Sequence, residues 1–308
     1  MRQPTVCPKR HEIEERVCLC GRRLPTNYCE SRSYVVAIVG GAGSGKSTYL
    51  TVLIRLISKV VAPELHAGFS DADDDTARRY LEMETRLFEN GIALPGTQVE
   101  TPADPRDPLI FRWERGTDSR HQKLGFLLFY DTAGDDVADE QHTRYIGGYL
   151  REAAALILLV DPEHLDSGAD LADRLPAQAR HRVPGPRTVL EYVTRPRRAP
   201  GRKSPPIAVT LTKIDALAER LTTQSAMHRR RSPDSDDRES VDEQVRSLLH
   251  SWNADLEQFL SLHYRRSGYF GVSSLGAAID QGKVDSLGVR PHRVTDPFVW
   301  LIGEIGLV

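Results

Sequence analysis

Eight consecutive residues, Gly40 to Ser47, carry the clearest chemical pattern in this chain, GxxxxGK[ST]. Glycines let backbone N–H groups converge on phosphate oxygens, and the positive end of a following helix adds to that attraction. Lys46 would reach the β- and γ-phosphates, and the Ser47 hydroxyl would ligate Mg²⁺. An ordinary glycine turn before a helix is the alternative. The predicted phosphate-binding residues are Gly41, Ala42, Gly43, Ser44, Gly45, Lys46, Ser47 and Thr48, with positive φ expected at the three glycines among them.

The segments on either side of this loop have the character that a nucleotide loop needs. Residues 34–39 form an apolar, β-branched run, which is typical of a buried strand. After the loop, apolar residues recur at helical spacing from Leu50 to Val61. A strand, a glycine loop and a helix in this order distinguish a nucleotide site from a chance match.

A second pattern, Asp131-Thr132-Ala133-Gly134, comes directly after the apolar run 126–130. A carboxylate at a strand end can hold Mg²⁺ through water, and the N–H of Gly134 can meet a γ-phosphate. By itself a DxxG pattern is weak and is commonly a turn. Its place downstream of the phosphate loop predicts that Asp131 is a magnesium ligand and that Gly134 contacts phosphate.

A third pattern, Thr212-Lys213-Ile214-Asp215, follows the apolar run 207–211. The Asp215 carboxylate could accept hydrogen bonds from both N1–H and the exocyclic amine of guanine, whereas adenine would leave that buried acceptor pair unsatisfied. Lys213 would lay its stem against the base. A solvated turn is the alternative. After the last apolar run, Ser273, Ser274 and Leu275 would offer backbone N–H groups to the guanine oxygen.

Composition excludes several classes of function. The chain has 308 residues, 40% hydrophobic and 27% charged, as in globular proteins, and its net charge of -2 gives no reason to expect nucleic acid as a partner. The longest apolar run, 153–160, is too short to cross a bilayer, and the first residues have no signal-peptide core. We therefore expect a cytoplasmic protein without a transmembrane segment.

The cysteines indicate a metal site near the N-terminus. In a reducing compartment, four thiols within the first 30 residues favour a tetrahedral zinc site over disulfides, with His11 as a substitute ligand. The CxC spacing is less usual than CxxC, and free thiols are the alternative. The predicted zinc ligands are Cys7, Cys18, Cys20 and Cys29.

Strands that alternate with helices predict an α/β fold, a mostly parallel sheet with helices on both faces. Beyond the strands already named, we predict strands at 109–114, 155–160 and 269–273 and helices at 77–90, 241–263 and 300–308. Residues 1–32 would form a small zinc-ribbon-like module, and residues 33–308 one nucleotide-binding domain. That domain would contain a long insertion at about 66–108 and flexible loops at about 166–206 and 222–240.

The motifs GGAGSGKS, DTAG, TKID and SSL, in this order between residues 34 and 275, resemble the P-loop GTPases of the translation-factor and Ras-like (TRAFAC) class. With the cysteine-rich start, the chain looks like the bacterial GTPases of conflict or signalling systems called double-GTPases. The resemblance implies a P-loop GTPase fold, with GTP or GDP and Mg²⁺ as ligands. It also implies the phosphate, magnesium and guanine roles given above.

Three departures from the family pattern bear on activity. Thr212 stands where the base-reading motif usually has Asn. Asp135 stands where a Gln often orients the attacking water; a carboxylate can accept a proton from water but cannot donate to the γ-phosphate. The switch threonine that caps Mg²⁺ is either Thr97 or Thr101. With Lys46 and Asp135 as the catalytic residues, we expect slow intrinsic GTP hydrolysis, or reliance on a protein partner that activates it.

Two other functions remain open from the sequence. The same phosphate loop would serve an ATPase, and Asp135 would also suit a scaffold that binds nucleotide without turnover. The effector or activating protein and the oligomeric state are not defined by any motif.

Overall fold

The computed structural model of the chain describes residues 5–6, 12–13, 17–18, 23–95, 108–116, 123–131, 150–165, 185–195, 204–218, 221–231 and 235–308. Within these ranges the dominant element is a seven-stranded sheet. Its strands are β3 (Arg32–Gly40), β4 (Ala67–Asp71), β5 (Leu109–Arg115), β6 (Lys123–Asp131), β7 (Ala153–Val160), β8 (Ile207–Leu211) and β9 (Ser267–Gly271).

The strands lie in the order β4-β5-β6-β3-β7-β8-β9. β6, β3, β7, β8 and β9 are mutually parallel, whereas β5 runs antiparallel to both β6 and β4. The chain places β6 on one side of β3 and β7 on the other. The order of the sheet therefore reverses at β3, and open α/β sheets bind their ligands at such a point.

Within the described residues, six helices of nine residues or more accompany the sheet. They are α1 (Lys46–Leu56), α2 (Asp74–Glu84), α3 (Pro186–Thr194), α4 (Ser235–Trp252), α5 (Ala254–His263) and α6 (Asp296–Glu304). α1 continues through a wider turn at Ile57–Val61 into Ala62–Glu64, and α2 continues through a similar turn at Thr85–Glu89.

Alternate residues of each central strand enter two different cores. In β3, Ala37 and Val39 pack with α3, α4 and α5, while Val36 and Ile38 pack with α1 and α6 on the opposite face. Because both faces are covered, the strand is apolar at every position from Val35 to Val39. The predicted α/β fold is confirmed.

The stretch before β5 contributes an edge strand that we did not predict. β4 is only five residues long and contains Gly68, so its sequence signal is weak. Its pairing with β5 places Phe69 against Phe111, with ring centroids 4.7 Å apart. Residues 67–71 therefore belong to the sheet.

The helical predictions near the C-terminus were wrong in three details. α4 begins at Ser235, within the expected loop, because Asp237 is buried and ion-paired to Arg293 at 2.7 Å. The predicted single helix 241–263 is broken at Asn253, whose side chain accepts from the N–H of Leu256 at 3.0 Å and so caps α5. The last helix begins at Asp296, four residues earlier than predicted.

The described residues of the N-terminal segment include one antiparallel pair, β1 (Thr5–Val6) with β2 (Glu12–Ile13). Further along, the ring of Tyr28 lies 5.1 Å from that of Phe126 on β6. This contact ties the end of the cysteine-containing segment to the sheet. No helix among the described residues is both long enough and apolar enough to span a bilayer.

Candidate nucleotide site

Three of the predicted motifs, and Asp131 of the fourth, lie at one edge of the sheet. β3, β6, β7, β8 and β9 are parallel, so their carboxyl ends lie at the same edge. In the register of the sheet, Ile38 pairs with Asp131 and Gly40 pairs with Leu159. Asp131 is the last residue of β6, and the phosphate loop, the base loop that begins at Thr212 and the segment from Ser273 lie at the ends of β3, β8 and β9, within two residues of each end. Sequence positions more than 230 residues apart are therefore brought to one edge.

The phosphate loop has the backbone that its glycines predict, with one exception. Gly43 has φ of 75° and Gly45 has φ of 84°, whereas Gly41 does not have positive φ. At Gly40 the reason for a glycine is space, because neighbouring atoms pack closely against its Cα. A Cβ there would lie 2.7 Å from both the Leu159 carbonyl oxygen and Ser44 Oγ. α1 begins immediately afterwards, and the N–H of Tyr49 donates to the Gly45 carbonyl at 2.7 Å.

Lys46 is buried and folds back over its own loop. Its ammonium donates to the carbonyl oxygens of Gly40 at 3.0 Å and Gly41 at 2.8 Å. Ser44 is 1% exposed, and its hydroxyl has no hydrogen-bond partner among the described residues. An orphaned buried hydroxyl, a cation and a helix N-terminus in one loop fit a phosphate group.

The two predicted magnesium ligands within the described residues, Ser47 and Asp131, belong to α1 and to β6, the strand beside β3. Ser47 lies in the first turn of α1, and Asp131 is the last residue of β6. A hydroxyl and a carboxylate are the hard oxygen donors that Mg²⁺ prefers. Gly134, Asp135, Thr97 and Thr101 lie outside the described residues, so their predicted roles stay predictions.

The base loop is held by both neighbouring strands. The N–H of Thr212 donates to the Val160 carbonyl at 2.9 Å, and its hydroxyl donates to the same oxygen at 3.3 Å. On the other side, the N–H of Ile214 donates to the Val272 carbonyl at 3.3 Å. Asp215 lies in the first turn of a short 3₁₀ helix, Ile214–Leu217, and is half-buried. Asp215 thus lies a few residues beyond the carboxyl end of β8, and its contact with guanine stays a prediction.

Lys213 has two acidic partners that sequence reasoning missed. Its ammonium lies 2.6 Å from Asp161 Oδ2 and 3.3 Å from Glu163 Oε2. Burial by itself would lower the pKa of Lys213, but the two carboxylates outweigh it and hold the pKa above its usual value. Asp161 directly follows the buried strand β7, and this position at a strand end is the feature of the sequence that could have indicated its role at the site.

The third predicted base contact, Ser273 to Leu275, is tied to a later segment. Ser273 and His292 exchange backbone hydrogen bonds of 3.0 and 2.8 Å, and the N–H of Arg290 donates to the Leu275 carbonyl at 2.9 Å. Ser273 Oγ also accepts from the N–H of Gly276 at 2.8 Å. This segment therefore has a defined backbone conformation at the end of β9.

A family model described as Double-GTPase 2 matches residues 34–283, which include every nucleotide motif. The chain belongs to the Double-GTPase 2 family. As a member of this family it is a GTP-binding P-loop protein, and the resemblance drawn from its motifs is confirmed.

Two individual proteins are similar to this Double-GTPase 2 chain. One, from Mycolicibacterium smegmatis (strain ATCC 700084 / mc(2)155), is named as a candidate ESX-1 scaffolding and assembly protein, SaeC. It is 28% identical over 320 residues, which cover 94% of this chain and 80% of that protein. The other is the crystal structure of a bacterial selenocysteine-specific elongation factor, EF-Sec, with a TM-score of 0.37 and 13% identity. That match covers 88% of this chain but only 29% of the elongation factor.

The zinc site is not supported by the described part of this Double-GTPase 2 protein. Cys18 and Cys29 are exposed, and no group of three His, Cys, Asp or Glu residues within the described ranges is placed to hold a metal. Cys7, Cys20 and His11 lie outside those ranges. Zinc binding by the four cysteines stays a prediction.

Proposed function

We propose that this protein is a GTP-binding switch that hydrolyses GTP slowly in the presence of Mg²⁺ and is activated by a protein partner. The observation that supports this most strongly is the common sheet edge, at which a glycine loop with Lys46 and a base loop with Asp215 follow parallel strands β3 and β8. A switch needs both ends of the nucleotide to be recognised at one site.

The phosphate end would work mainly by positioning and charge. Lys46 would leave the carbonyls of Gly40 and Gly41 for the β- and γ-phosphates, and the Ser44 hydroxyl would gain a partner. Ser47 and Asp131 would hold Mg²⁺, which neutralises charge on the phosphates. Asp135 in place of a water-orienting glutamine is the reason to expect slow turnover by the isolated chain.

The base assignment is tested by calorimetric titration of the chain with GTP and with ATP in the presence of Mg²⁺. We expect GTP to bind at least about 100-fold more tightly, because Asp215 can pair only with guanine. Asp215→Ala should remove most of this preference, whereas Asp255→Ala, which removes an exposed carboxylate on α5, should leave it unchanged. Equal affinity for GTP and ATP in the unaltered chain would favour the ATPase.

Hydrolysis is tested by single-turnover release of phosphate from bound GTP. The unaltered chain should release phosphate slowly and Lys46→Ala more slowly still; replacement of Asp135 by Gln should raise the rate. Identical rates for the unaltered chain and Lys46→Ala would show that the site does not hydrolyse GTP.

A nucleotide-binding scaffold is the second candidate function. It is motivated by Asp135 and by the name of the SaeC relative, which describes scaffolding and assembly. Protein partners are expected in either case, and the cysteine-containing segment is a proposed docking module. Zinc analysis of the purified chain tests that module, and a value near zero would contradict it.

A further inference from the structure

We propose that Asp161 is a positioning residue for the base loop: its buried carboxylate holds the Lys213 ammonium, so that the lysine stem is presented to the guanine base, and Glu163 provides a second anchor. This inference rests on the proposed role of residues 212–215 in reading guanine. Neither acidic residue belongs to the four motifs by which the site was recognised.

The geometry shows that Asp161 is itself held in place. Its side chain is 0% exposed, and Oδ1 accepts from the N–H of Glu163 at 3.0 Å, which caps the short 3₁₀ helix Pro162–His164. Oδ2 is left to face Lys213 at 2.6 Å. A carboxylate that is fixed by its own backbone contact gives the ammonium one defined location, which a mobile surface acid would not provide.

Lys213 is tied only at its end. Its side chain remains 38% exposed although the ammonium lies between two carboxylates, so part of the stem is open to contact with a ligand. The backbone at Lys213 is left-handed, with φ of 52°, an unfavourable conformation for a residue with a Cβ. Such strain persists where surrounding contacts over-determine it, and it is common at ligand sites.

Stability alone is a poor explanation for this arrangement. The free energy lost when a carboxylate is removed from water is about as large as the attraction gained in a buried ion pair. Such pairs therefore contribute little to the free energy of folding. A contact between the ends of β7 and β8 is already supplied by the two hydrogen bonds from Thr212 to Val160. The Asp161–Lys213 pair adds the orientation of one side chain.

The test is a double-mutant cycle on the full chain, with GDP affinity measured by calorimetry for the unaltered chain, Asp161→Asn, Lys213→Met and the double variant. Asp161→Asn should weaken GDP binding about tenfold in the unaltered background and less than about twofold in the Lys213→Met background. Asp255→Asn is the matched control, because it removes the carboxylate of an exposed ion pair with Arg187 at 2.8 Å, and it should leave GDP affinity unchanged.

Each other outcome decides the question. Equal losses from Asp161→Asn in both backgrounds, or normal GDP affinity in Asp161→Asn, would show that Asp161 does not act through Lys213 and would overturn the inference while leaving GDP binding intact. Absence of GDP binding by the unaltered chain would overturn the proposed function and the inference together.

A more conservative variant guards against misfolding. If Asp161→Asn does not fold, Glu163→Gln replaces it, since Glu163 is 22% exposed and its removal disturbs the interior less. This variant should weaken GDP binding about threefold, and again only when Lys213 is present. A loss that persists in the Lys213→Met background would overturn the inference.

Discussion

The phosphate end and the base end of the site each fix the ammonium group of a lysine, but they do so with different parts of the chain. Lys46 is bound by carbonyls five and six residues earlier in its own loop. Lys213 is bound by carboxylates about fifty residues earlier, on the segment that follows a neighbouring strand. The phosphate end is thus a local structure, and the base end is assembled by the sheet.

This difference predicts different consequences of mutation. The Lys46 ammonium donates to backbone carbonyls of its own loop, so its removal should disturb folding less than the loss of Lys213. The lysine of the base loop neutralises a buried carboxylate, so its removal affects both stability and binding. Four variants test the contrast.

Of the four variants, Lys46→Ala should have the largest effect, and that effect should be on nucleotide binding rather than on stability. Loss of the charge-assisted contacts to the β- and γ-phosphates should weaken GTP and GDP about 100-fold. The free energy of unfolding should fall by less than in Lys213→Met, because alanine is a favourable residue at the start of α1. Calorimetry and urea denaturation measure the two quantities, with exposed Lys59→Ala as the control. A large loss of stability would contradict the local character of the phosphate end.

Lys213→Met should lower the free energy of unfolding by about 2 kcal/mol, the cost of an orphaned buried charge reduced for the partial exposure of the lysine. Since the folded pKa of Lys213 is raised, the unaltered chain keeps this stabilisation at neutral pH and loses it only as the pH rises through that pKa. Urea denaturation at pH 7 measures the difference, with Lys59→Met as the control. A stability equal to that of the control would mean that Asp161 is not dependent on Lys213.

Gly40→Ala should destabilise the chain by about 1.5 kcal/mol, because the new methyl group meets the Leu159 carbonyl oxygen and Ser44 Oγ at 2.7 Å. Gly303→Ala is the matched control: Gly303 lies in α6 with nothing within 4 Å of an added Cβ, and alanine is the better helix former. In thermal unfolding, the melting temperature should fall for Gly40→Ala and rise slightly for Gly303→Ala. The same shift in both would indicate that the loop yields to the methyl group.

Thr212→Val should have the smallest effect, about 0.5 kcal/mol of unfolding free energy. The substitution removes the 3.3 Å hydrogen bond from the hydroxyl to the Val160 carbonyl, but the N–H of residue 212 still donates to that oxygen. Urea denaturation measures the change. A loss several times larger would show that the hydroxyl is a main link between β7 and the base loop.

The sequence predicted the parts of the site that depend on residue type and short spacing. The runs that form β3, β6, β7 and β8 were found, because strands buried on both faces are continuously apolar. The helix after the glycine loop was found from its spacing. β4 was missed because a short edge strand that contains a glycine has little pattern of its own, and the start of α4 was missed because Asp237 is neutralised by a residue 56 positions away.

The sequence by itself determined which residues can cradle a phosphate, since glycines, a lysine and a helix start within eight positions need no distant partner. Only the tertiary structure decided what holds the base loop. The order of the sheet places β7 beside β8, and this adjacency brings Asp161 and Glu163 to Lys213. The physical reason is the sequence distance over which each interaction acts. Backbone turns depend on adjacent residues, whereas the neutralisation of a buried charge depends on which strands become neighbours in the sheet.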